Sequence, residues 1–338
     1  MFVHMRPFGF SPAPFVGYRA DMKRCQRIED LLDDARQDLR CAVGLVDADR
    51  RALRRRLDAG ELISPYRNLY ARPDDWTALD VEQRTMHVAR AIALLHPGWT
   101  FAGLTAATIH GFDHAIALHD GTVTIASCRS NRSGDAKQLR RICMVDERMT
   151  IVQGLQVTDG VRTLLDCGSA YSFQDALAIF DSAARQGVSI GDVWQKRHAI
   201  GVDAASIATL CTYADGRSEN GGESAARAVM IVNGFLRPQL QRRFENPDNP
   251  RGPYRVDFSW ELADKGIVVA EFDGTGKYVA RGDELGRNAI RSAVHAERRR
   301  EERLRAQGVT SIVRLEFEDV VHPDRLIAKL CAAGVPRA

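Results

Sequence analysis

The stretch YRVDFSWELADKGIVVAEFDG, from Tyr254 to Gly274, decides the fold class of the carboxyl-terminal third of this chain. Residues Tyr254–Trp260 alternate between polar and apolar, as in a strand with one buried face, and Gly266–Phe272 is an apolar run typical of a central strand. Asp257 lies on the first predicted strand and Glu271 ends the second. Because a buried carboxylate at a strand end is unfavourable without a counter-charge, both residues are candidates for binding a cation.

The elements on either side extend this pattern into a mixed α/β domain with the order αβββαβα. That order is the core of the restriction-endonuclease-like nucleases. The flanking elements predicted from apolar spacing and from turn residues are a helix at Glu223–Val232, a strand at Gln239–Glu245, a long charged helix at Leu285–Gln307, a strand at Thr310–Phe317 and a helix at Pro323–Ala333.

Cleavage of a phosphodiester calls for a hard divalent cation that polarises the phosphoryl oxygen and activates a water molecule. Mg²⁺, or Mn²⁺ in its place, prefers carboxylate ligands. We therefore predict a metal site formed by Asp257, Glu271 and Asp273, because residues two apart on a strand point to the same face. Lys277 is the candidate for steadying the attacking water, and Glu223 is a further candidate carboxylate.

The long charged helix carries a set of arginines that could face the phosphates of DNA, with Arg298 and Arg300 as the predicted contacts. The alternative is a solvated helix face, in which Glu297, Glu301 and Glu302 pair with these arginines at helical spacing. Both interpretations stay open at the level of sequence.

The amino-terminal part predicts a winged helix-turn-helix over residues 25–75. A helix at Ile28–Arg40 precedes a basic helix at Asp47–Leu57, and two short strand-like pieces follow around Pro65–Asn68. In such a module the basic helix enters the major groove and the hairpin contacts the backbone. The residues predicted to contact DNA are Arg50, Arg51, Arg54, Arg55 and Arg67.

The remaining boundaries follow from composition. Residues 1–24 are predicted to be a flexible tail and residues 80–215 an α+β middle domain, whose histidines complete no metal-ligand spacing. A polar, glycine-rich stretch at 214–222 marks the start of the carboxyl-terminal domain, 216–338.

Composition excludes several classes of protein. The 338 residues, of which 45% are hydrophobic and 27% charged, suit two or three globular domains. Without an apolar run of about 18 residues or a secretory signal, we expect no membrane partner. The 7 scattered cysteines form no CxxC pair, which argues against zinc and disulfides and for a reducing cytoplasm.

These strings also carry a resemblance to a known family. Glu223-Ser-x-x-Arg227, Arg255-Val-Asp257-Phe, Val268-Val-Ala-Glu271-Phe-Asp273-Gly274 and the later segment from Arg300 to Gly308 resemble a bacterial domain family related to the very-short-patch-repair endonucleases. The resemblance covers roughly the last 120 residues and implies metal-dependent nuclease chemistry. The family usually has a histidine shortly after the Asp-Gly, where this chain has Lys277-Tyr278.

The first two-thirds of the chain is similar to antitoxins of the abortive-infection type IV (AbiE) toxin–antitoxin class. The strings that carry this similarity are Gly60–Ala71, Thr105–Gly111, Gly154–Thr158 and Val161–Asp166. It implies a winged helix that binds operator DNA, followed by a domain that counters a cognate toxin.

Two functions from different classes follow. The first is a DNA-binding protein whose metal-dependent endonuclease domain cleaves DNA in a phage-defence or toxin–antitoxin setting. The second is a transcriptional repressor or antitoxin whose nuclease-like domain has lost catalysis. The three carboxylates favour the first function, and the missing histidine favours the second.

Overall fold

A computed structural model of the protein describes residues 16–128, 137–144, 149–198, 204–273 and 284–337. It shows a mixed α/β protein with two mixed sheets, as the sequence predicts. The chain divides into two compact units, residues 1–99 with 134–138 and residues 100–133 with 139–338. In the stretches that the structure describes, no helix is both long and apolar enough to cross a lipid bilayer.

The first unit is helical, with two small backbone bridges. Its helices are α1 (Val16–Gln37), α2 (Asp47–Asp58), α3 (Pro73–Thr77) and α4 (Val81–Leu95). Between α2 and α3 the chain folds back on itself, so that Ile63 pairs with Ala71 while Tyr70 pairs with Ala42, both antiparallel. The strand-like pieces predicted around Pro65–Asn68 thus meet as single bridges.

Packing explains the limits of these helices. Leu32 from α1 and Leu53 from α2 meet in one buried cluster, so each helix buries a single stripe. Helix α2 ends before Gly60, which has a φ of 76°. Helix α1 begins at Val16 and not after residue 24, where the predicted tail ends. No proline or glycine interrupts residues 18–27, and the helix therefore extends through them.

The second unit begins with a five-stranded sheet whose strand order is β3-β2-β1-β5-β4, surrounded by helices. Its strands β4 and β5 form a hairpin with a turn at Gln153 and Gly154. The elements are β1 (Thr100–Phe101), α5 (Gly103–His110), β2 (Val123–Ser127), β3 (Leu139–Cys143), β4 (Met149–Val152), β5 (Leu155–Thr158), α6 (Gly160–Ala170), α7 (Phe173–Arg185), α8 (Ile190–Lys196) and α9 (Ala204–Tyr213).

The rest of the second unit has the predicted order αβββαβα, with one additional short helix, α12. Its four-stranded sheet has the order β6-β7-β8-β9, antiparallel except for the parallel last pair. The elements are α10 (Gly221–Val232), β6 (Gln239–Phe244), β7 (Tyr254–Glu261), β8 (Ile267–Asp273), α11 (Glu284–Ala306), β9 (Val309–Glu316), α12 (Phe317–Val321) and α13 (Pro323–Ala332).

Helix α10 joins the two halves of this unit. Ala228 packs with the helices that follow the first sheet, whereas Val229 and Met230 pack with the second sheet. On the first side, the guanidinium of Arg227 donates to both oxygens of Asp181 on α7, at 2.7 and 2.5 Å, and both side chains are fully buried. A buried ion pair therefore connects the region before residue 215 to the region after it.

The glycine-rich stretch around residue 216 is packed and not a free linker. A Cβ on Gly216 would lie 2.8 Å from the backbone nitrogen of Arg185, so glycine is needed there for close approach to α7. The division into two compact units also differs from the predicted domain boundaries. It places α4 in the first unit, and it places residues 100–338, apart from 134–138, in the second. A division of the second unit at residue 216 stays a prediction.

The buried ion pair yields a stability test. We expect Arg227→Met to lower the free energy of unfolding by about 3–5 kcal/mol, because it leaves the Asp181 carboxylate buried without its counter-charge. The measurement is urea unfolding. In the double variant Asp181→Leu/Arg227→Met the loss should be smaller than the sum of the single losses.

The matched control is Arg242→Met, which breaks the partly exposed pair between Arg242 and Glu261. It should change the free energy of unfolding by less than about 1 kcal/mol. Equal losses in Arg227→Met and Arg242→Met would contradict the role assigned to the buried pair.

Candidate metal and nucleic-acid sites

Asp257 lies on β7 where the pairing of β7 with β8 ends. The last paired residues are Phe258 and Ala270, and beyond them the backbone N–H of Phe272 donates to Oδ2 of Asp257 at 2.8 Å. The carboxylate thus takes the place of a strand carbonyl as the acceptor. This bond fixes the half-buried Asp257 side chain at the end of the strand pair, as the sequence predicts for a site residue.

Glu223 lies in the first turn of α10 and is buried, with 4% of its surface exposed. Asn220 caps the helix: its Oδ1 accepts from the N–H of Glu223 at 3.0 Å, and its Nδ2 donates to Oε1 of Glu223 at 2.7 Å. The N–H of Glu219 donates to Oε2 at 2.9 Å. The carboxylate of Glu223, the further candidate from the sequence, is therefore held in place by hydrogen bonds at the start of a helix.

Gln241, which the sequence did not single out, joins these two carboxylates. Its Nε2 donates to Oε2 of Glu223 at 3.1 Å and to Oδ1 of Asp257 at 3.3 Å. Its backbone has a φ of 54°, in the left-handed region, and the pairing of β6 with β7 skips it, passing from Leu240 to Arg242. Its Oε1 is buried and has no hydrogen-bond partner among the described residues.

Burial and mutual repulsion shift the pKa of both carboxyls. Burial, aided by the negative charges of Asp257 and Glu219, raises the pKa of Glu223 to about 7. Burial and the negative charge of Glu271 likewise raise the pKa of Asp257, although the hydrogen bond from Phe272 opposes the shift. A positive ion between the carboxylates would favour their charged forms.

Glu271, at the end of β8, has a different environment. It is buried, and its carboxylate accepts from the guanidinium groups of Arg300 on α11 and Arg314 on β9. Arg300 also donates to the carbonyl of Arg255 at 2.9 Å, and both arginines pair with Glu297. Two intramolecular guanidinium groups thus already compensate the negative charge of Glu271.

The predicted metal ligands Asp257, Glu271 and Asp273 have different surroundings. Among the residues described, no group of three or more His, Cys, Asp or Glu side chains is arranged to hold a metal ion. Asp257 is joined to Glu223 through Gln241, Asp273 lies exposed at the last position of β8, and Lys277 lies outside the described residues. Two carboxylates and the unpartnered amide oxygen of Gln241 fit the oxygen preference of Mg²⁺.

Arg300 is not the free phosphate contact that the sequence predicts, because its guanidinium is engaged by Glu271, Glu297 and the carbonyl of Arg255. Near Arg300, part of the charged face of α11 therefore forms arginine–glutamate pairs, as the alternative interpretation of the sequence predicts. Arg298 lies exposed on the same helix, and its predicted contact with DNA stays a prediction.

A basic surface in the first unit collects four of the predicted arginines. One open depression is lined by Arg50, Arg51, Arg54, Arg55, Asn68 and Tyr70. All four arginines are exposed on α2, and Arg67 is exposed in the turn that follows it. The arginines predicted on the basic helix and the turn of the bridged segment therefore lie together at this basic surface.

The arginines of the basic surface are not equivalent. Arg50 donates to the carbonyls of Gly44 and Leu45, both at 3.0 Å, and Arg54 pairs with Asp58 at 3.2 Å. For Arg51 and Arg55 the described part of the chain shows no ion pair. These two guanidinium groups are thus the ones best placed to bind an external anion.

The comparisons with known proteins identify distant relatives. The chain is 30% identical over 163 residues to uncharacterized proteins of Mycobacterium tuberculosis, one from strain CDC 1551 / Oshkosh and one from strain ATCC 25618 / H37Rv. The match covers 46% of this chain and 56% of each relative, so the chain spans about half the length of the curated relatives it matches. No family model matches the chain. No solved structure matches it either.

The pKa of Glu223 generates a test by pH. Its folded-state pKa of about 7 lies above the ordinary 4.5, so its contribution to stability is present below about pH 4.5 and is lost as the pH rises through 7. In Glu223→Gln we expect the fall in the free energy of unfolding between pH 5 and pH 8 to shrink by on the order of 1–3 kcal/mol. Urea unfolding at the two pH values measures it.

Burial also raises the pKa of Asp166, to about 6, and that contribution is present in wild type and variant alike. The difference between the two proteins therefore reports the ionisation of Glu223 together with its coupling to Asp257. The control is Glu302→Gln, on the exposed face of α11, which should leave the fall unchanged. An identical fall in wild type and Glu223→Gln would show that Glu223 does not take up a proton on folding.

Proposed function

We propose that this protein is a metal-dependent DNA endonuclease, which binds DNA through the basic surface of its first unit and cleaves it at Asp257 and Glu223. The observation that carries the proposal is the pair of carboxylates linked by Gln241. Among the residues described, no basic side chain is paired with either carboxylate, whereas Glu271 has two arginines. Buried carboxylates without a counter-charge favour binding of a cation.

The architecture of the second unit supports this proposal. Its order αβββαβα and its mixed sheet β6-β7-β8-β9 agree with a restriction-endonuclease-like domain. Asp257 lies just beyond the last paired residues of β7 and β8, where its carboxylate accepts from the N–H of Phe272.

The residues present fit a hard divalent cation, Mg²⁺ or Mn²⁺. Asp257 and Glu223 would hold it, because carboxylate oxygens are its preferred ligands. Oε1 of Glu223 and both oxygens of Asp257 each accept one of the hydrogen bonds described and keep a lone pair for the cation. When bound, such a cation supplies charge compensation for a phosphoryl oxygen and lowers the pKa of water.

The residues of the chain have separate tasks around it. Glu223, with a pKa near 7, releases its proton close to neutral pH when a positive charge approaches. Asp257 is oriented by the N–H of Phe272. Arg300 and Arg314 keep the negative charge of Glu271 compensated beside the site, so that the field at Asp257 is weaker than three bare carboxylates would produce.

For the first unit we propose a winged helix-turn-helix that recognises DNA. Helix α1 packs on α2, and the segment after α2 returns in short antiparallel bridges, as a wing does. Four arginines of α2 lie on one exposed face and line the same depression as Asn68: Arg50, Arg51, Arg54 and Arg55. Such a helix face suits the phosphates that border a major groove.

A second candidate function is a DNA-binding repressor or antitoxin with an inactive nuclease-like domain. The observation that favours it is the ion pairing of Glu271, a predicted metal ligand, with Arg300 and Arg314. If that network is permanent, the domain keeps the fold of a nuclease and lacks one ligand. A cognate toxin would then be the partner.

DNA binding by the basic surface is testable by salt dependence. We expect Arg51→Glu and Arg55→Glu each to weaken DNA binding and to lower the slope of log K against log[salt] by about one unit, because each removes one phosphate contact. Fluorescence anisotropy with labelled duplex DNA at several salt concentrations measures both quantities.

The matched control is Arg36→Glu, which changes the net charge equally on an exposed position of α1. Its slope should remain that of the wild type. If Arg36→Glu and Arg51→Glu weaken binding alike, DNA responds to net charge alone and the basic surface has no special role.

Nicking of plasmid DNA separates enzyme from binder. In the presence of Mg²⁺ or Mn²⁺ we expect the wild type to nick the DNA, and Asp257→Asn, Glu223→Gln and Glu271→Gln to lose this activity while still binding DNA. The control Glu261→Gln changes an exposed carboxylate on the same strand as Asp257 and should remain active.

Two results would redirect the proposal. Intact DNA binding without nicking by the wild type, with either metal, would favour the repressor or antitoxin. Nicking that persists in Asp257→Asn and Glu223→Gln would place the chemistry elsewhere in the chain or in a contaminating nuclease.

A further inference from the structure

Gln241 links the two carboxylates of the proposed cation site, and its backbone conformation is unusual. It lies in the left-handed backbone region, which is unfavourable for residues with a side chain unless the surroundings enforce it. Its neighbours Leu240 and Arg242 pair with Phe258 and Val256, so Gln241 lies opposite Asp257 in an unshifted register, and its side chain donates to both Asp257 and Glu223. A glycine would fit this backbone without strain, so the amide itself must account for the residue.

The amide is oriented by its neighbours. The oxygens near it belong to two carboxylates, which in their charged forms only accept hydrogen bonds, so the NH₂ end of Gln241 must face them. The carbonyl end is then left without a donor in the described part of the chain, and its Oε1 is buried. A buried acceptor without a partner is unfavourable unless water or an ion satisfies it.

We propose that Gln241 is a ligand and positioning residue of the cation site: Nε2 holds Glu223 and Asp257 side by side, and Oε1 binds the divalent cation directly or through one of its water molecules. The inference rests on the proposed cation site. Amide oxygens are suitable ligands for hard divalent cations, and a neutral ligand adds no further repulsion to the two carboxylates.

The test measures Mn²⁺ binding without activity. Free Mn²⁺ is followed by electron paramagnetic resonance at pH 8 while protein is added, for the wild type, Gln241→Leu, Gln241→Glu and the control Gln239→Leu. Gln239 is exposed on the same strand. We expect Gln241→Leu to weaken Mn²⁺ binding by about 10–100-fold, as loss of a supporting ligand does. Gln239→Leu should bind as the wild type does.

Gln241→Glu distinguishes the amide oxygen from mere filling of space. It keeps Oε1 as an acceptor, so it should bind Mn²⁺ at least as tightly as the wild type at a pH where its carboxyl is ionised. The shift of the melting temperature on addition of Mn²⁺ gives a second measure, because each variant is compared with itself. At the same Mn²⁺ concentration this shift should be smaller in Gln241→Leu than in the wild type and should persist in Gln241→Glu.

Several outcomes would overturn the inference. If the wild type and Gln241→Leu bind Mn²⁺ equally, Gln241 has no part in the site, although the proposed nuclease function survives. If Gln241→Glu binds as weakly as Gln241→Leu, Oε1 is not a ligand. If the wild type does not bind Mn²⁺ at all, the cation site and the proposed function fail together.

Discussion

The second unit depends on one fully buried ion pair, between Asp181 on α7 and Arg227 on α10. Transfer of both charges out of water is unfavourable, and the surrounding groups offset it: the N–H of Asp215 donates to Asp181, and Arg227 donates to the carbonyl of Tyr213. Glu223 lies one helical turn before Arg227, on the same face of α10. The helix that is fastened by Arg227 therefore also sets the position of the candidate site.

Three of the buried acidic positions in this unit differ in the groups that compensate their negative charge. Asp319 is paired with Lys329 and Arg325, and Glu271 is likewise paired with two arginines. The Glu223–Asp257 position has instead a neutral amide between its carboxylates. The chain has 47 basic residues and so does not lack counter-charges. Because the Glu223–Asp257 position has an amide in their place, it has a negative potential that the neighbouring positions do not have.

Hydrophobic periodicity predicted the strands, whose position depends on burial. It did not predict a site residue whose position depends on local backbone geometry. The alternation at Tyr254–Trp260 and the apolar run before Glu271 placed β7 and β8 correctly, because burial of one or both strand faces leaves that pattern. Gln241 could not be found in this way. Its distinguishing features are a positive φ and a missing backbone pair within an unshifted register, and a glutamine in a strand otherwise indicates solvent.

Charge patterns were ambiguous for a physical reason. A guanidinium binds a phosphate and a carboxylate with the same fork of donors, so the spacing of Arg300 along α11 suits DNA and Glu271 equally well. Only the three-dimensional arrangement shows that Arg300 and Arg314 converge on Glu271. The glycines near residue 216 were ambiguous too, since glycine serves both flexible linkers and close backbone contacts.

The close contact of Gly216 with α7 also bears on how such a protein can evolve. A carboxyl-terminal segment joined by a loose tether can be exchanged between genes as a cassette. Here a recombination event at residue 216 would separate Arg227 from Asp181 and leave a guanidinium in an apolar interior. The segment from α7 through α13 must therefore be inherited together, and new combinations of parts are expected upstream of it.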